Sequence, residues 1–137
     1  KSSPISDYVP VDYELRGCPI NKYQLIELIS ALLNNRSPNL PKYSLCIDCK
    51  REGISCVTVS KGIPCLGPVT QTGCGVLCPS YNRGCYGCFG PKETPNTASI
   101  SKLFSDLKVK EDDIVKMFRG FNAYAPAFRK EGELHEK

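Results

Sequence analysis

Eight of the nine cysteines fall between Cys46 and Cys88, and no other feature limits the fold of this chain as sharply. At that density the thiols are either crosslinked or hold metal, so the backbone between them is tied at short intervals. They run Cys46-x2-Cys49-x6-Cys56-x8-Cys65 and then Cys74-x3-Cys78-x6-Cys85-x2-Cys88, two groups of four in line, with Cys18 standing apart. The odd total, the lack of an apolar run suited to a secretory signal, and a CxxC pair at each end of the window speak against a secreted disulfide framework.

Soft thiolates select zinc, copper(I) or iron–sulfur clusters, and a site of four thiolates needs no histidine. His135, the only histidine, stands in a charged tail where solvation is the expected state. Two tetra-thiolate zinc sites would use eight cysteines and stabilise a small, loop-rich structural module. Zinc ribbons present two CxxC knuckles per site, however, whereas each quartet here has one such pair and two spread ligands. A cube of iron and sulfur is wider than one ion and accepts ligands from more scattered positions. The spacing C-x2-C-x2-C-x3-C-P of bacterial ferredoxins is absent, although a stand-alone iron–sulfur electron carrier of another type stays open. Nucleophilic catalysis by cysteine needs a neighbouring base, and the window contains no histidine. Phosphate-cradling loops, paired catalytic carboxylates and zinc-protease motifs are missing.

A chain of 137 residues has room for one domain with a modest core. Its formal charge of +4 counts every thiol as neutral. Two four-iron clusters, each about −2 with its four thiolates, would cancel that surplus. Lys42, Lys50, Arg51, Lys61, Arg83 and Lys92 therefore read as charge compensation, and the aromatic interleaving of a nucleic-acid surface is thin around them. No stretch approaches the roughly 20 apolar residues of a membrane span.

Periodicity predicts mostly helix and loop. Pro4, Pro10 and the alternation Val9, Val11, Tyr13, Leu15 predict an extended lead-in to Cys18. From Asn21 to Asn34, Leu25, Ile26, Leu28, Ile29, Leu32 and Leu33 recur at helical spacing. Asn21 is the expected N-cap, Gln24 the expected capping-box partner, and the apolar stripe is core or a subunit contact. Proline and glycine punctuate the chain from Cys46 to Pro91, as backbone wrapped round a compact ligand would require. A helix capped by Thr97 or Ser99 carries Ile100, Leu103, Phe104 and Leu107, and another runs from Glu111 to Arg119 with Gly120 at its end. Phe118, Phe121, Tyr124 and Phe128 serve either a partner surface or a C-terminal core, and the tail from Lys130 is expected to be mobile. The fold class is small, loop-rich and mainly α, with irregular cluster-binding loops and little sheet. Its parts are a lead-in over 1–20, a helix plus two-cluster region over 21–95, and C-terminal helices and tail over 96–137.

The runs Val11-Asp12-Tyr13-Glu14-Leu15-Arg16-Gly17-Cys18-Pro19, Cys65-Leu66-Gly67-Pro68-Val69-Thr70-Gln71-Thr72-Gly73-Cys74 and Cys85-Tyr86-Gly87-Cys88-Phe89-Gly90-Pro91 resemble the small subunit of nickel–iron hydrogenases. The resemblance covers roughly residues 8 to 92 and is closest to the cytoplasmic, multimeric branch that includes sulfhydrogenases and deazaflavin-reducing enzymes. It implies an oxidoreductase subunit that carries electrons, with the nickel–iron centre on a large-subunit partner. By matching motif, Cys46, Cys49, Cys56 and Cys65 would hold a distal 4Fe-4S cluster and Cys74, Cys78, Cys85 and Cys88 a medial one. Cys18 would be one ligand of a third, proximal 4Fe-4S cluster, whose other ligands come from an N-terminal flavodoxin-like part that this chain lacks. Oxygen-tolerant and periplasmic members of that family commonly have histidine in place of Cys46, and many have proline in place of Cys78, so cysteine at both positions implies two complete four-iron clusters. A flavin-containing reductase subunit or similar acceptor is the implied electron partner, the cytoplasm the implied location. Glycine amides near Cys74 and Cys88, with Lys50, Arg51 and Arg83, are the expected tuners of cluster potential.

Overall fold

The computed structural model describes residues 3–136, and its helices carry almost all of the regular structure, as the sequence pattern predicts. After a 3-10 turn at Ile5–Asp7, the described helices are α1 (Lys22–Leu33), α2 (Leu45–Arg51), α3 (Val57–Lys61), α4 (Leu77–Ser80), α5 (Thr97–Asp106), α6 (Glu111–Gly120) and α7 (Pro126–His135). Two isolated bridges, Ser44 with Gln71 and Thr70 with Pro91, are the sheet-like pairing among the described residues. They tie three passes of chain together, with Leu45 N–H donating to Thr70 O and Gln71 N–H to Gly90 O, each at 2.9 Å.

Helix α1 begins where expected. Asn21 Oδ1 accepts from Tyr23 N–H at 2.8 Å and Gln24 N–H at 3.2 Å, satisfying two of the otherwise unpaired first-turn donors. Gln24 does not complete a capping box. Its side chain is buried and donates to Thr72 O at 3.2 Å, so the residue bolts the helix to the cysteine loops instead. The apolar stripe of α1 is largely outward: Ile26, Ile29, Leu32 and Leu33 are exposed, and Ala31 is its one fully buried apolar side chain. The helix is stapled at its far end by Arg36, whose guanidinium makes paired bonds of 2.5 and 2.8 Å to Glu27. Asn39 N–H adds a third bond, and the Glu27 carboxyl falls to about 2, mainly through Arg36.

The main core is C-terminal. Ile100 and Phe104 of α5, Ile114 and Phe118 of α6, and Ala125 and Phe128 around the start of α7 close over Leu66 and Val69 from the cysteine region. Phe118 and Phe128 meet edge to face at 5.6 Å, and both are fully buried, which settles the role of these two aromatics in favour of a core. Helix α5 is capped by Asn96, which accepts from Ser99 N–H at 3.0 Å; neither Thr97 nor Ser99 is the cap.

The expected mobile tail is a helix. Pro126 stands in the first turn of α7, where its missing N–H costs nothing, and Glu131 and Gly132 are buried. His135 is half-enclosed rather than solvated, its Nδ1 2.5 Å from Glu111 Oε2 and its Nε2 3.4 Å from Glu131 Oε1. Arg119 pairs with Glu136 at 2.7 Å, fastening the end of α6 to the end of α7.

Among the described residues no helix is long and apolar enough to cross a membrane. Replacing Phe128 with alanine removes the ring on which α6, α7 and Gly87 converge, and is expected to cost about 3–5 kcal/mol of unfolding free energy. Chemical denaturation of the two chains side by side measures it.

Candidate metal centre

Cys46 and Cys49 sit three residues apart on α2 and so share one face of it. Ser44 places the first turn, and the Leu45 N–H bond to Thr70 O fixes the helix start against the second cysteine segment. Cys56 is the N-cap residue of α3, which Gly62 ends at φ +65°, and Cys65 lies on the loop that follows. These four sulfurs line one cavity of about 130 Å³, whose other walls include Leu45, Lys50, Ile54, Val57, Gly67 and Pro79. A Cβ on Gly67 would stand 3.2 Å from Cys65 Sγ and 3.5 Å from Cys46 Sγ, in the space that cargo held by both sulfurs needs.

A second cavity of about 130 Å³ is lined by Cys74, Cys78, Cys85 and Cys88, with Cys18 at its edge beside Tyr86 and Phe121. Three contacts hold its loops. Asn21 Nδ2 donates to Gly73 O at 2.6 Å, joining the start of α1 to the residue before Cys74. Asn122 Nδ2 donates to both Gly87 O and Cys88 O, at 2.9 and 3.0 Å, clamping the last cysteine turn from the α6–α7 connection. Phe89 is wedged between the two glycine turns: a Cβ on Gly73 would reach its ring at 2.4 Å, and one on Gly17 at 2.8 Å. Cys18 is thereby brought beside Cys88. Val76 adopts a left-handed backbone with φ +53°, rare for a β-branched residue, and packs its buried side chain with Leu45 and Cys85.

The electrostatics of the thiols follow from crowding. Burial lifts Cys46 to about 11, helped by the neighbouring Cys65, Cys49 and Cys56. Burial likewise pushes Cys85 to about 12 against the opposing pull of Gly87 N–H, which lies 3.4 Å from its sulfur. Cys49, Cys65, Cys78 and Cys88 are also raised, in each case chiefly by burial. Cys65 Sγ accepts from Cys85 N–H at 3.1 Å and Gly67 N–H at 3.4 Å. Of the expected tuners, Lys50 acts on Cys46 and Arg83 on Cys78, each favouring the thiolate. Arg51 is engaged elsewhere, bonded to Tyr43 OH at 2.8 Å and Asp48 at 3.2 Å and stacked on the Tyr43 ring. The glycine amides on sulfur are those of Gly67 and Gly87, not those flanking Cys74.

No disulfide joins any of the nine cysteines. Among the described residues no three Cys, His, Asp or Glu side chains converge closely enough to hold a single ion. Each quartet instead surrounds a space with the volume of about four water molecules at ~30 Å³ apiece. Four soft donors round such a space, with backbone N–H groups aimed at sulfur, fit an inorganic cluster of several atoms. Residues missed from sequence are Asn122, Gly84 and Leu45, the last of which lines both cavities. Only Leu45 carried a signal, as the apolar residue leading into the first CxxC.

No protein-family model matches the chain. The sulfhydrogenase 2 subunit delta of Pyrococcus furiosus is 36% identical over 118 residues, covering 86% of this chain and 49% of its own length. An F420-non-reducing hydrogenase subunit of Methanothermobacter marburgensis is 33% identical over 82% of this chain and 44% of its own. An F420-non-reducing hydrogenase vhu subunit of Methanocaldococcus jannaschii is 36% identical over 86% and 49%. The chain thus spans about half the length of the curated relatives it matches.

Raised thiol pKa values carry a sign. An unfolded thiol titrates near 9, whereas Cys46 and Cys85 in the metal-free fold titrate at about 11 and 12. Between those values the folded chain binds more protons than the unfolded one, so its stability falls as pH rises from 9 towards 12 and is insensitive to these two thiols below 9. Urea midpoints of the reduced, metal-free chain at pH 8 and pH 10.5 test this, the second being expected lower.

Proposed function

On the premise that the chain belongs to the family of hydrogenase iron–sulfur subunits, which its homology shows, we propose that it relays electrons between a nickel–iron active site on a partner and an external acceptor. The observation that carries this reading is the pair of cavities, the first lined by Cys46, Cys49, Cys56 and Cys65 and the second by Cys74, Cys78, Cys85 and Cys88 with Cys18 beside them.

Cys46, Cys49, Cys56 and Cys65 would hold the distal 4Fe-4S cluster, and Cys74, Cys78, Cys85 and Cys88 the medial one. Cys18 would give one ligand to a proximal 4Fe-4S cluster completed by residues outside this chain. When bound, such clusters supply reversible one-electron redox chemistry. The residues of this chain do the rest. Leu45, Ile54, Val57 and Pro79 give the first site an apolar wall, and Leu45 with Leu77 and Phe121 does the same at the second. The N–H groups of Gly67, Cys85 and Gly87 bond to sulfur and favour the more negative, reduced state. Lys50 and Arg83 offset the thiolate charge.

The partners in this reading are a hydrogenase large subunit with the nickel–iron centre, a flavodoxin-like part of the small subunit, and a flavin-containing reductase or similar acceptor. The setting is the cytoplasm, without nucleic acid. Hydrogen would be split on the large subunit, and this chain would contribute electron transfer alone.

Anaerobically prepared complex tests the reading. Four iron and four acid-labile sulfide per quartet, with iron exceeding sulfide only by that of the nickel–iron centre, and visible absorption that bleaches on dithionite, are expected. Two zinc ions in colourless protein would replace the proposal with a structural module. Cys78→Pro is expected to convert the medial cluster to a three-iron species detectable by EPR, and a retained four-iron signal counts against the ligand assignment. Cys46→Ala is expected to slow reduction of the external acceptor while sparing hydrogen–deuterium exchange at the large subunit; parallel loss of both in an intact complex would contradict the distal role.

A further inference from the structure

The two quartets meet at one bonded contact. Cys85 N–H donates to Cys65 Sγ at 3.1 Å, so an amide belonging to a thiol of the second cavity is bonded to a thiol of the first. The surrounding backbone is built for this approach. Leu66 N–H donates in return to Cys85 O at 3.0 Å. A Cβ on Gly84 would come within 1.9 Å of Pro64 O, so glycine alone lets the Pro64–Cys65 and Gly84–Cys85 passes lie this close. Elsewhere the cavities are divided by Leu45, which lines both, with Val76 packed beside it.

We propose that the hydrogen bond from the Cys85 amide to Cys65 Sγ is the electronic contact between the two cluster sites, and that Gly84 is the positioning residue that keeps it short. The inference rests on the cluster reading given above. Electronic coupling decays more slowly through bonds than across van der Waals gaps. Between the two sulfurs this route has the hydrogen bond and then N–Cα, Cα–Cβ and Cβ–Sγ of Cys85, all bonded. A route through Leu45 leaves Cys46 along the peptide bond but crosses a non-bonded gap from the Leu45 side chain to the second site. The step moves one electron: one site is oxidised by one electron as the other is reduced by one, no bond forms or breaks, and the amide proton stays on the Cys85 nitrogen. A similar arrangement recurs at the rim of the second cavity, where Cys18 N–H faces the Cys88 thiol.

The experiment is Gly84→Ala in the full complex, reduced stepwise under anaerobic conditions and followed by EPR together with iron and sulfide analysis. Expected are wild-type iron and sulfide and slower electron equilibration between the two clusters after photoreduction. Equilibration unchanged at full cluster content overturns the proposal. Unaltered complex without iron or sulfide sinks the cluster reading instead, so the two failures are distinguishable. Should Gly84→Ala fail to assemble, Leu45→Val decides. A wild-type equilibration rate supports the amide contact, and a slowed rate with iron intact overturns it in favour of the path through Leu45.

Discussion

Thiols gathered round a buried space repel one another as soon as they ionise, and the rest of this structure is arranged about that constraint. Burial, more than any other cause, lifts Cys46 to about 11 and Cys85 to about 12, and the surrounding cysteines push Cys46 in the same direction. Lys50 and Arg83 pull back, but two cations do not balance eight thiolates. A positively charged inorganic core is the partner that makes such a gathering favourable, and its binding energy then counts as folding energy. Loop-rich chain between Cys46 and Cys88 is tolerable on the same ground, because ligation replaces the regular hydrogen-bond ladders that these loops lack.

The helices are scaffold for the loops. Helices α5 to α7 bury Phe104, Phe118 and Phe128 over Leu66 and Val69, which lie in the segment joining the two quartets. From that platform Asn122 reaches the carbonyls of Gly87 and Cys88, and Phe128 packs close to Gly87. Helix α1 works from the other side through Asn21 and Gln24, whose side chains take the carbonyls of Gly73 and Thr72. Both scaffolds thus act on backbone oxygens next to a cysteine. This fixes loop position while leaving sulfur and amide hydrogens free for the cavity.

Local chemistry was readable from the residues alone, and distant contact was not. The Asn21 cap and the acidic start and glycine end of α6 each depend on neighbours in sequence, and the structure contains them as read. The stripe on α1 was periodic enough to predict a helix, but periodicity does not say whether an apolar face turns inward, and most of this one turns out. The charged run from Lys130 reads as a mobile tail; Arg119 and Glu111 of α6 pair with its Glu136 and His135, and Glu131 within it faces His135. Gly84 is the same lesson at shorter range. Nothing local distinguishes it from other loop glycines until Pro64 O is found where its side chain would be.

Burial is uneven among the cysteines. Cys18 and Cys56 are exposed, Cys46, Cys49, Cys65, Cys74, Cys78 and Cys88 are partly covered, and Cys85 is 5% exposed. The most covered thiol therefore belongs to the residue whose amide bonds across to Cys65. Gly84 stands next to it, where a Cβ would meet Pro64 O at 1.9 Å, so the close approach of the two passes and the deepest burial coincide at one place in the chain.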